Sequence, residues 1–317
     1  MTKFTIFTDL HSEIIDNSEK RIHEILQEAT KQQAQVLINL GDFGYFAPTV
    51  ETKCISNNQP INYHLFYEEQ TNKYLKKTEK LLDLISYLHI PTLHVLGNHD
   101  MDFNSKAEAI RYYDIPNNYY YEDIDEFRFI VLDTNFYLNN KGEEVDYDTG
   151  NYFNEKRQAL LSQEQVEWLK EEALITERKI ILLSHNPLKD EKRGIQNAKH
   201  VQNILNLTNK KLLCLSGHKH IDKCEKVENI VFLEVNSASY HWLGEKQDSA
   251  KDYRREKIHD YPLLPYIIRY PVALYATIEW IANRVSIWGR QPENSPIGEK
   301  ERALNITSSI LDREIDF

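Results

Sequence analysis

The sequence predicts an α+β protein that begins like an α/β one: two mixed sheets packed face to face, with helices on the outside. Three observations carry this. Short apolar strands alternate with amphipathic helices through the first half, and antiparallel strand pairs dominate the second. In addition, five strands end in bursts of polar side chains: Thr8-Asp9-Leu10-His11, Leu40-Gly41-Asp42, Val95-Leu96-Gly97-Asn98-His99-Asp100, Ser184-His185-Asn186 and Ser216-Gly217-His218-Lys219-His220. Strand ends of that kind deliver side chains into a cleft at the carboxyl edge of a sheet.

The elements follow in order. Residues Phe4 to Thr8 alternate and are β-prone, so a first strand ends at Asp9. Ile22, Ile25, Leu26 and Ala29 mark one face of a helix over residues 14–30. Val36 to Leu40 is the second strand, completing a βαβ unit. Residues 43–63 lack periodicity and hold Pro48 and Pro60, which predicts a long loop leaving the cleft. Tyr74, Leu81, Ile85 and Leu88 mark a long helix over 64–88, stopped before Pro91, and a strand over 92–96 follows. Residues 119–121 and 127–132 read as paired strands turning at 123–126, and 135–152 as a second polar loop. Ser162-Gln163-Glu164-Gln165 is a capping box opening the helix of Val166, Trp168, Leu169 and Leu174. Strands over 179–183 and 211–215 flank a helix around Val201, Ile204 and Leu205, and further strands lie at Val227 and 230–235. Residues 240–270 break the pattern as a charged, tyrosine-rich insertion. Residues 273–280 and 284–288 then form an antiparallel pair turning at Ala282-Asn283. The expected organisation is one domain over 1–290 with the 240–270 insertion, then a polar, loosely docked tail over 291–317.

Composition narrows the function classes. The 317 residues carry a net charge of −11, which offers no basic footprint for nucleic acid or an anionic membrane. Cys54, Cys214 and Cys224 are odd in number and widely spaced, so they read as buried thiols in a reducing compartment. The amino terminus is too short an apolar segment for a signal peptide, and no run reaches the length of a membrane span. A cytoplasmic location is the expectation.

The strand ends specify chemistry. Asp9 and His11 stand two apart on backbone leaving a strand, so both side chains reach one ion, and His218 and His220 repeat the arrangement. Asp42 has two oxygens, suited to bridging ions roughly 3.5–4 Å apart. Asn98 adds an amide oxygen and His185 an imidazole. Imidazole-rich sets without thiolates suit Mn, Fe or Zn, with Ni a further match, and suit Mg or Ca poorly. Two divalent ions, two carboxylates and one bridging hydroxide leave a charge of about +1, so the site favours an anion. That combination describes phosphoester hydrolysis, with the metal-bridging hydroxide attacking phosphorus in line. His99, beside Asn98 but facing the other way, is the expected general acid, with Asp100 holding its ring and keeping it protonated. His23, His64, His89, His94, His200 and His259 read as surface or core residues.

The ordered set Asp9-x-His11, Gly41-Asp42, Gly97-Asn98-His99-Asp100, His185 and Gly217-His218-x-His220 resembles the calcineurin-like metallophosphoesterase superfamily over residues 4–220. The resemblance implies a four-layer αββα sandwich of the metallo-dependent phosphatase type and a dinuclear site. Asp9, His11, Asp42 and His220 would hold one metal, and Asp42, Asn98, His185 and His218 the other. The family often has a second acid three residues after the bridging Asp, where this chain has Tyr45. Purple acid phosphatases, a branch of the superfamily, use a tyrosine there as an iron ligand, but they lack a histidine at the place of His11. Tyr45 is therefore not expected to be a ligand.

The expected substrate is a small phosphomonoester or phosphodiester, nucleotides included. Aromatic residues of the two long loops and the insertion would wall the cleft, with Tyr240, His241 and Trp242 near the site and Arg254 or Arg255 meeting a second phosphate. Three alternatives share the fold. A nuclease conflicts with the acidic balance, a protein phosphatase conflicts with the long loops, and a non-catalytic, metal-stabilised interaction protein conflicts with an intact ligand set.

Overall fold

The computed structural model describes residues 2–44, 63–102, 104–152, 158–243, 263–294, 297 and 306–317, with the backbone alone over 63–74. Two six-stranded sheets form the centre. The first half supplies β1 (Lys3–Phe7), helix α1 (Ser18–Lys31), β2 (Val36–Asn39), α2 (Tyr63–Ser86), β3 (Thr92–His94), a 3-10 turn (Asn98–Met101) and α3 (Lys106–Tyr112). Next come β4 (Tyr120–Ile124), β5 (Phe127–Leu132), β6 (Phe136–Leu138), β7 (Glu144–Asp146), α4 (Gln163–Trp168), β8 (Lys179–Ser184) and α5 (Ala198–Leu207). The rest comprises β9 (Leu212–Ser216), β10 (Lys223–Val227), β11 (Ile230–Glu234), β12 (Tyr240–Trp242), β13 (Ile267–Arg269), β14 (Ala276–Ile281), β15 (Arg284–Gly289) and β16 (Arg313–Asp316).

The first sheet runs β16-β15-β14-β1-β2-β3 and the second β10-β11-β9-β8-β5-β4. In each, a parallel core (β1-β2-β3; β11-β9-β8-β5) has antiparallel neighbours. The pleat sorts the side chains. Along β8, Ile181 and Leu183 join the cluster between the sheets, while Ile180 and Leu182 face a second cluster with Leu169, Val201 and Leu205. Phe4 meets Phe127 and Phe129 edge-on across the sheet interface, with centroids 6.4 and 5.6 Å apart. Ile22 and Ile25 of α1 and Leu81 and Ile85 of α2 extend the same core. The two sheets flanked by helices are those the sequence predicts.

Four details differ from the sequence reading. Helix α1 starts at Ser18 rather than at residue 14. Ile14 and Ile15 instead pack with Tyr240, Leu263, Leu264 and Ile267 in a separate cluster. The expected loop at 135–152 contains the hairpin β6-β7. The expected loose tail ends as β16, paired antiparallel to β15, with Val285 opposite Ile315. The capping box of α4 is half formed: Ser162 Oγ accepts from the Gln165 N–H at 3.3 Å, but the Gln165 amide turns away to bond both backbone groups of Asp133 at 2.8 Å. Most of the loop at 43–63 and of the 240–270 insertion lies outside the described residues. No helix among the described residues is long and apolar enough to cross a membrane.

Candidate metal centre

The five motifs meet where β1, β2, β3, β8 and β9 end. Hydrogen bonds lace the loops together beyond the strands: Asp9 N–H to Gly41 O and His11 N–H to Asp42 O, both 3.0 Å, and Ala238 N–H to Thr8 O at 2.8 Å. Ser237 and Ser239 hydroxyls donate to the Asp9 and Leu10 carbonyls at 2.8 and 2.6 Å. The chain turns sharply at each loop, so Asp9, His11, Asp42, His218 and His220 all take left-handed φ values, between 44° and 69°. That region is unfavourable for residues with a Cβ and concentrates at functional sites. Two glycines allow the loops to approach so closely. A Cβ on Gly97 would sit 2.2 Å from Asp42 Oδ1, and one on Gly217 would sit 2.0 Å from Thr8 Oγ1.

Each carboxylate is held by one oxygen and offers the other. Asp9 Oδ2 accepts from Thr8 Oγ1 at 2.6 Å and the His218 N–H at 3.0 Å. Its Oδ1 is buried without a hydrogen-bond partner among the described residues, facing Nε2 of His220, His11 and His185 at 3.3, 3.7 and 3.9 Å. Asp42 Oδ1 accepts from the His99 N–H at 2.8 Å, and its Oδ2 faces Nε2 of His185 and His11 at 3.1 and 3.7 Å. His185 donates Nδ1–H to Leu40 O and His220 donates Nδ1–H to Tyr240 O, both at 2.8 Å, which leaves Nε2 of each turned to the site. His218 Nδ1 lies 3.3 Å from His185 Nε2.

Two groups of three can each hold a metal ion, Asp9-His11-His220 and Asp42-His185-His218. The donors fit. Asn98 Oδ1, like Asp9 Oδ1, is buried with no hydrogen-bond partner among the described residues, and a cation supplies what both oxygens lack. The facing nitrogens of His218 and His185, 3.3 Å apart, are near enough for one ion to be held by both. The seven expected ligands are thus brought together.

The electrostatics follow from burial and mutual contact. Burial disfavours the ionised forms of Asp9 and Asp42, but the surrounding imidazoles outweigh it and hold both carboxyls below the usual range. Burial brings His11 down to about 4 and, with His185 beside it, His218 down to about 3, so both are neutral and ready to donate a lone pair. At His185 burial is overcome by Asp42, which raises the imidazole to about 9.

His99 leans over the centre with its side chain one-third exposed, its ring 5.2 Å from that of His11. Its expected partner needs correction. Asp102, not Asp100, holds the ring, with Oδ2 2.8 Å from His99 Nδ1. In a 3-10 turn, residues three apart lie above one another and adjacent ones diverge. Asp100 therefore points inward, fully buried, accepting from the N–H groups of Gly97, Asp42 and Phe43 and from the Tyr113 hydroxyl. It ties two ligand loops together. Asp102 also accepts from the Tyr152 hydroxyl, which reaches the Asn98 carbonyl at 2.9 Å. Burial opposes a charge on His99, but Asp102 and Asp42 hold it up at about 10. Sequence reasoning missed Asp102 and Tyr152; only the i, i+3 spacing of His99 and Asp102 pointed to the first.

Two lobes open on the centre. The larger, about 740 Å³, is bordered by His11, Asp42, His99, His220 and Trp242. The smaller, about 430 Å³, is bordered by Asn98, Tyr152, Gln158, Lys192 and His218. His241 and Trp242 line the larger lobe, as expected. Tyr240 is buried, its ring packed on His11 and His220 at 5.3 and 4.9 Å. Tyr45, Arg254 and Arg255 lie outside the described residues.

Comparison with known proteins gives one family and a set of folds. The sequence pattern of the family described as calcineurin-like phosphoesterase matches residues 2–222. No curated protein sequence matches the chain. Among solved structures, a dimetal phosphatase from Danio rerio is similar with a TM-score of 0.61 at 14% identity, covering 100% of this chain and 99% of that one. A phosphoesterase from E. coli scores 0.40 at 12% identity, covering 90% of this chain and 91% of that one.

Proposed function

This chain belongs to the calcineurin-like phosphoesterase family, and from that premise we propose that it hydrolyses phosphomonoesters or phosphodiesters of small molecules, nucleotides among them. The observation that carries the reading is the pair of three-residue donor groups that meet at Asp42, with the Asp9 and Asn98 oxygens buried beside them and without a hydrogen-bond partner among the described residues. Asp9, His11, Asp42 and His220 would hold one ion, and Asp42, Asn98, His185 and His218 the other. The imidazole-rich donor set favours manganese, iron or zinc. Bound there, such ions lower the pKa of a water to roughly 7 and neutralise the phosphoryl oxygens.

The remaining steps belong to this chain's side chains. The His99 N–H and Asp9's two donors fix the carboxylates, so the donor atoms need no rearrangement. When a water-derived oxygen bonds to phosphorus, the bond to the leaving oxygen breaks and that oxygen takes the electron pair. His99 Nε2 donates the proton it needs, while Asp102 orients the ring through Nδ1. Tyr152 holds Asp102 in turn.

The test is His99→Ala and Asp102→Asn, assayed on an alkyl and a 4-nitrophenyl phosphate with metal content measured alongside. We expect two ions per chain in both variants and a loss for the alkyl ester of about 100-fold or more in His99→Ala. The loss should be smaller in Asp102→Asn, and smaller for nitrophenolate in both, since that leaving group needs little protonation. Equal losses on the two esters would remove the general-acid role.

A further inference from the structure

We propose that the substrate carries an organic group on each side of its phosphorus, making it a phosphodiester rather than a monoester, and that Arg193 on the rim between the lobes contacts its anionic group. This rests on the phosphoesterase reading above and deepens it. The two lobes lie against different halves of the centre. The larger borders His11 and His220 of the first donor group, and the smaller borders Asn98 and His218 of the second. Of the residues named on both rims, His218 belongs to the metal centre and Arg193 does not.

A monoester presents three unsubstituted oxygens to the metals and sends one group away from phosphorus, so it needs one lobe. A diester sends out two groups at a wide angle and needs two. The linings differ in a way that assigns them. His99 borders only the larger lobe, so the departing oxygen leaves there, against Ile14, Trp242, Leu263 and Ile306. Trp242 is 40% exposed and stacks on Tyr266, a flat surface suited to an aromatic leaving group. The smaller lobe is polar, with Gln158, Asn186 and Lys192, and suits a hydrophilic group that stays on phosphorus.

Arg193 is exposed, and its guanidinium has no hydrogen-bond or ion-pair partner among the described residues, whereas the neighbouring Lys219 is taken up by Asp190 and Glu234 at 2.9 and 3.0 Å. A planar cation left free by the described residues at the mouth of an anion site is suited to a phosphoryl oxygen. Hydrolysis then balances simply: water adds to phosphorus, the bond to the group in the larger lobe breaks, and the products are an alcohol or phenol and a phosphomonoester.

The experiment compares kcat/KM for the 4-nitrophenyl diester of thymidine 5'-phosphate, whose second group is hydrophilic, and for 4-nitrophenyl phosphate, which share a leaving group, on metal-loaded protein. Two variants are run beside it, Lys192→Trp, an exposed position that narrows the smaller lobe, and Arg193→Ala. We expect the diester-to-monoester ratio to exceed tenfold in the native protein and to fall at least fivefold in each variant. A native ratio below one, or a ratio unmoved by both substitutions, would overturn the proposal and leave the phosphoesterase reading standing. Turnover of neither ester by protein holding two ions would overturn both.

Discussion

Asp42 shows how a single residue organises the centre: its Oδ1 accepts from the backbone of the turn that carries Asn98 and His99, and its Oδ2 faces imidazoles of both donor groups. Histidines near it behave oppositely according to what they touch. His94 is buried against Tyr113, stacked at 5.2 Å, and pairs through Nδ1 with the Asn39 amide at 3.2 Å. Asn39 Oδ1 is taken by the Gly41 N–H, so its Nδ2 faces the imidazole as donor and Nδ1 accepts. Burial accordingly lowers His94 from 6.5 to about 4. Between those values the unfolded chain binds a proton on this imidazole that the folded one does not, so stability falls as pH falls. The full effect is on the order of 3 kcal/mol. Urea unfolding at pH 7 and pH 4.5 should show a smaller pH difference in His94→Gln than in the native protein, and equal differences would refute the assignment. At this scale the sequence was legible where residue type alone decides, as with the two donor groups Asp9-His11-His220 and Asp42-His185-His218 that the fold brings together. It was illegible where side-chain direction decides: Asp100 stands next to His99 in the chain, yet the 3-10 turn gives the contact to Asp102.

Among the elements, α1 does more than cover a sheet. Arg21, 1% exposed, donates to the carbonyls of Ala238, Tyr270 and Val272 at 2.5–2.8 Å, and its Nε bonds Asn17 Oδ1 at 3.0 Å. The helix thereby fixes the segment whose Ser237 and Ser239 clamp the Asp9–Leu10 loop. Arg21→Ala would take this donor from the carbonyls of Tyr270, Val272 and Ala238, of which Ala238 keeps the Leu274 N–H at 3.3 Å, a loss of about 3 kcal/mol. Denaturant unfolding should show that loss, and a change under 1 kcal/mol would mean water replaces the guanidinium at no cost. Strands and long helices were readable because their periodicity is local. The start of α1 was not, since Ile14 and Ile15 fit a helical stripe but are claimed by Leu263, Leu264 and Ile267, some 250 residues away. The β6-β7 hairpin and β16 were equally hidden. β7 reads Glu144-Val145-Asp146 and β16 reads Arg313-Glu314-Ile315-Asp316, polar edge segments that become strands only because a partner strand is present.

At the scale of the whole molecule, two sheets turn the carboxyl ends of their parallel strands to one cleft, and the functional residues lie on the loops that the strands deliver there. Several of those loops hold backbone conformations that are costly without a reason, and buried oxygens that lack donors among the described residues. Bound metal ions would account for both features. Catalysis and part of the stability would then depend on two ions held by Asp9, His11, Asp42, Asn98, His185, His218 and His220. The most direct measurement strips the protein of metal and returns manganese, iron or zinc in steps, following bound ions, thermal unfolding and hydrolysis of a chromogenic phosphoester together. Turnover is expected to appear only as binding approaches two ions per chain, Tm to rise with loading, and Asp42→Ala to abolish both effects. Full activity in the stripped protein, or saturation of activity in Asp42→Ala at native metal levels, would contradict this dependence.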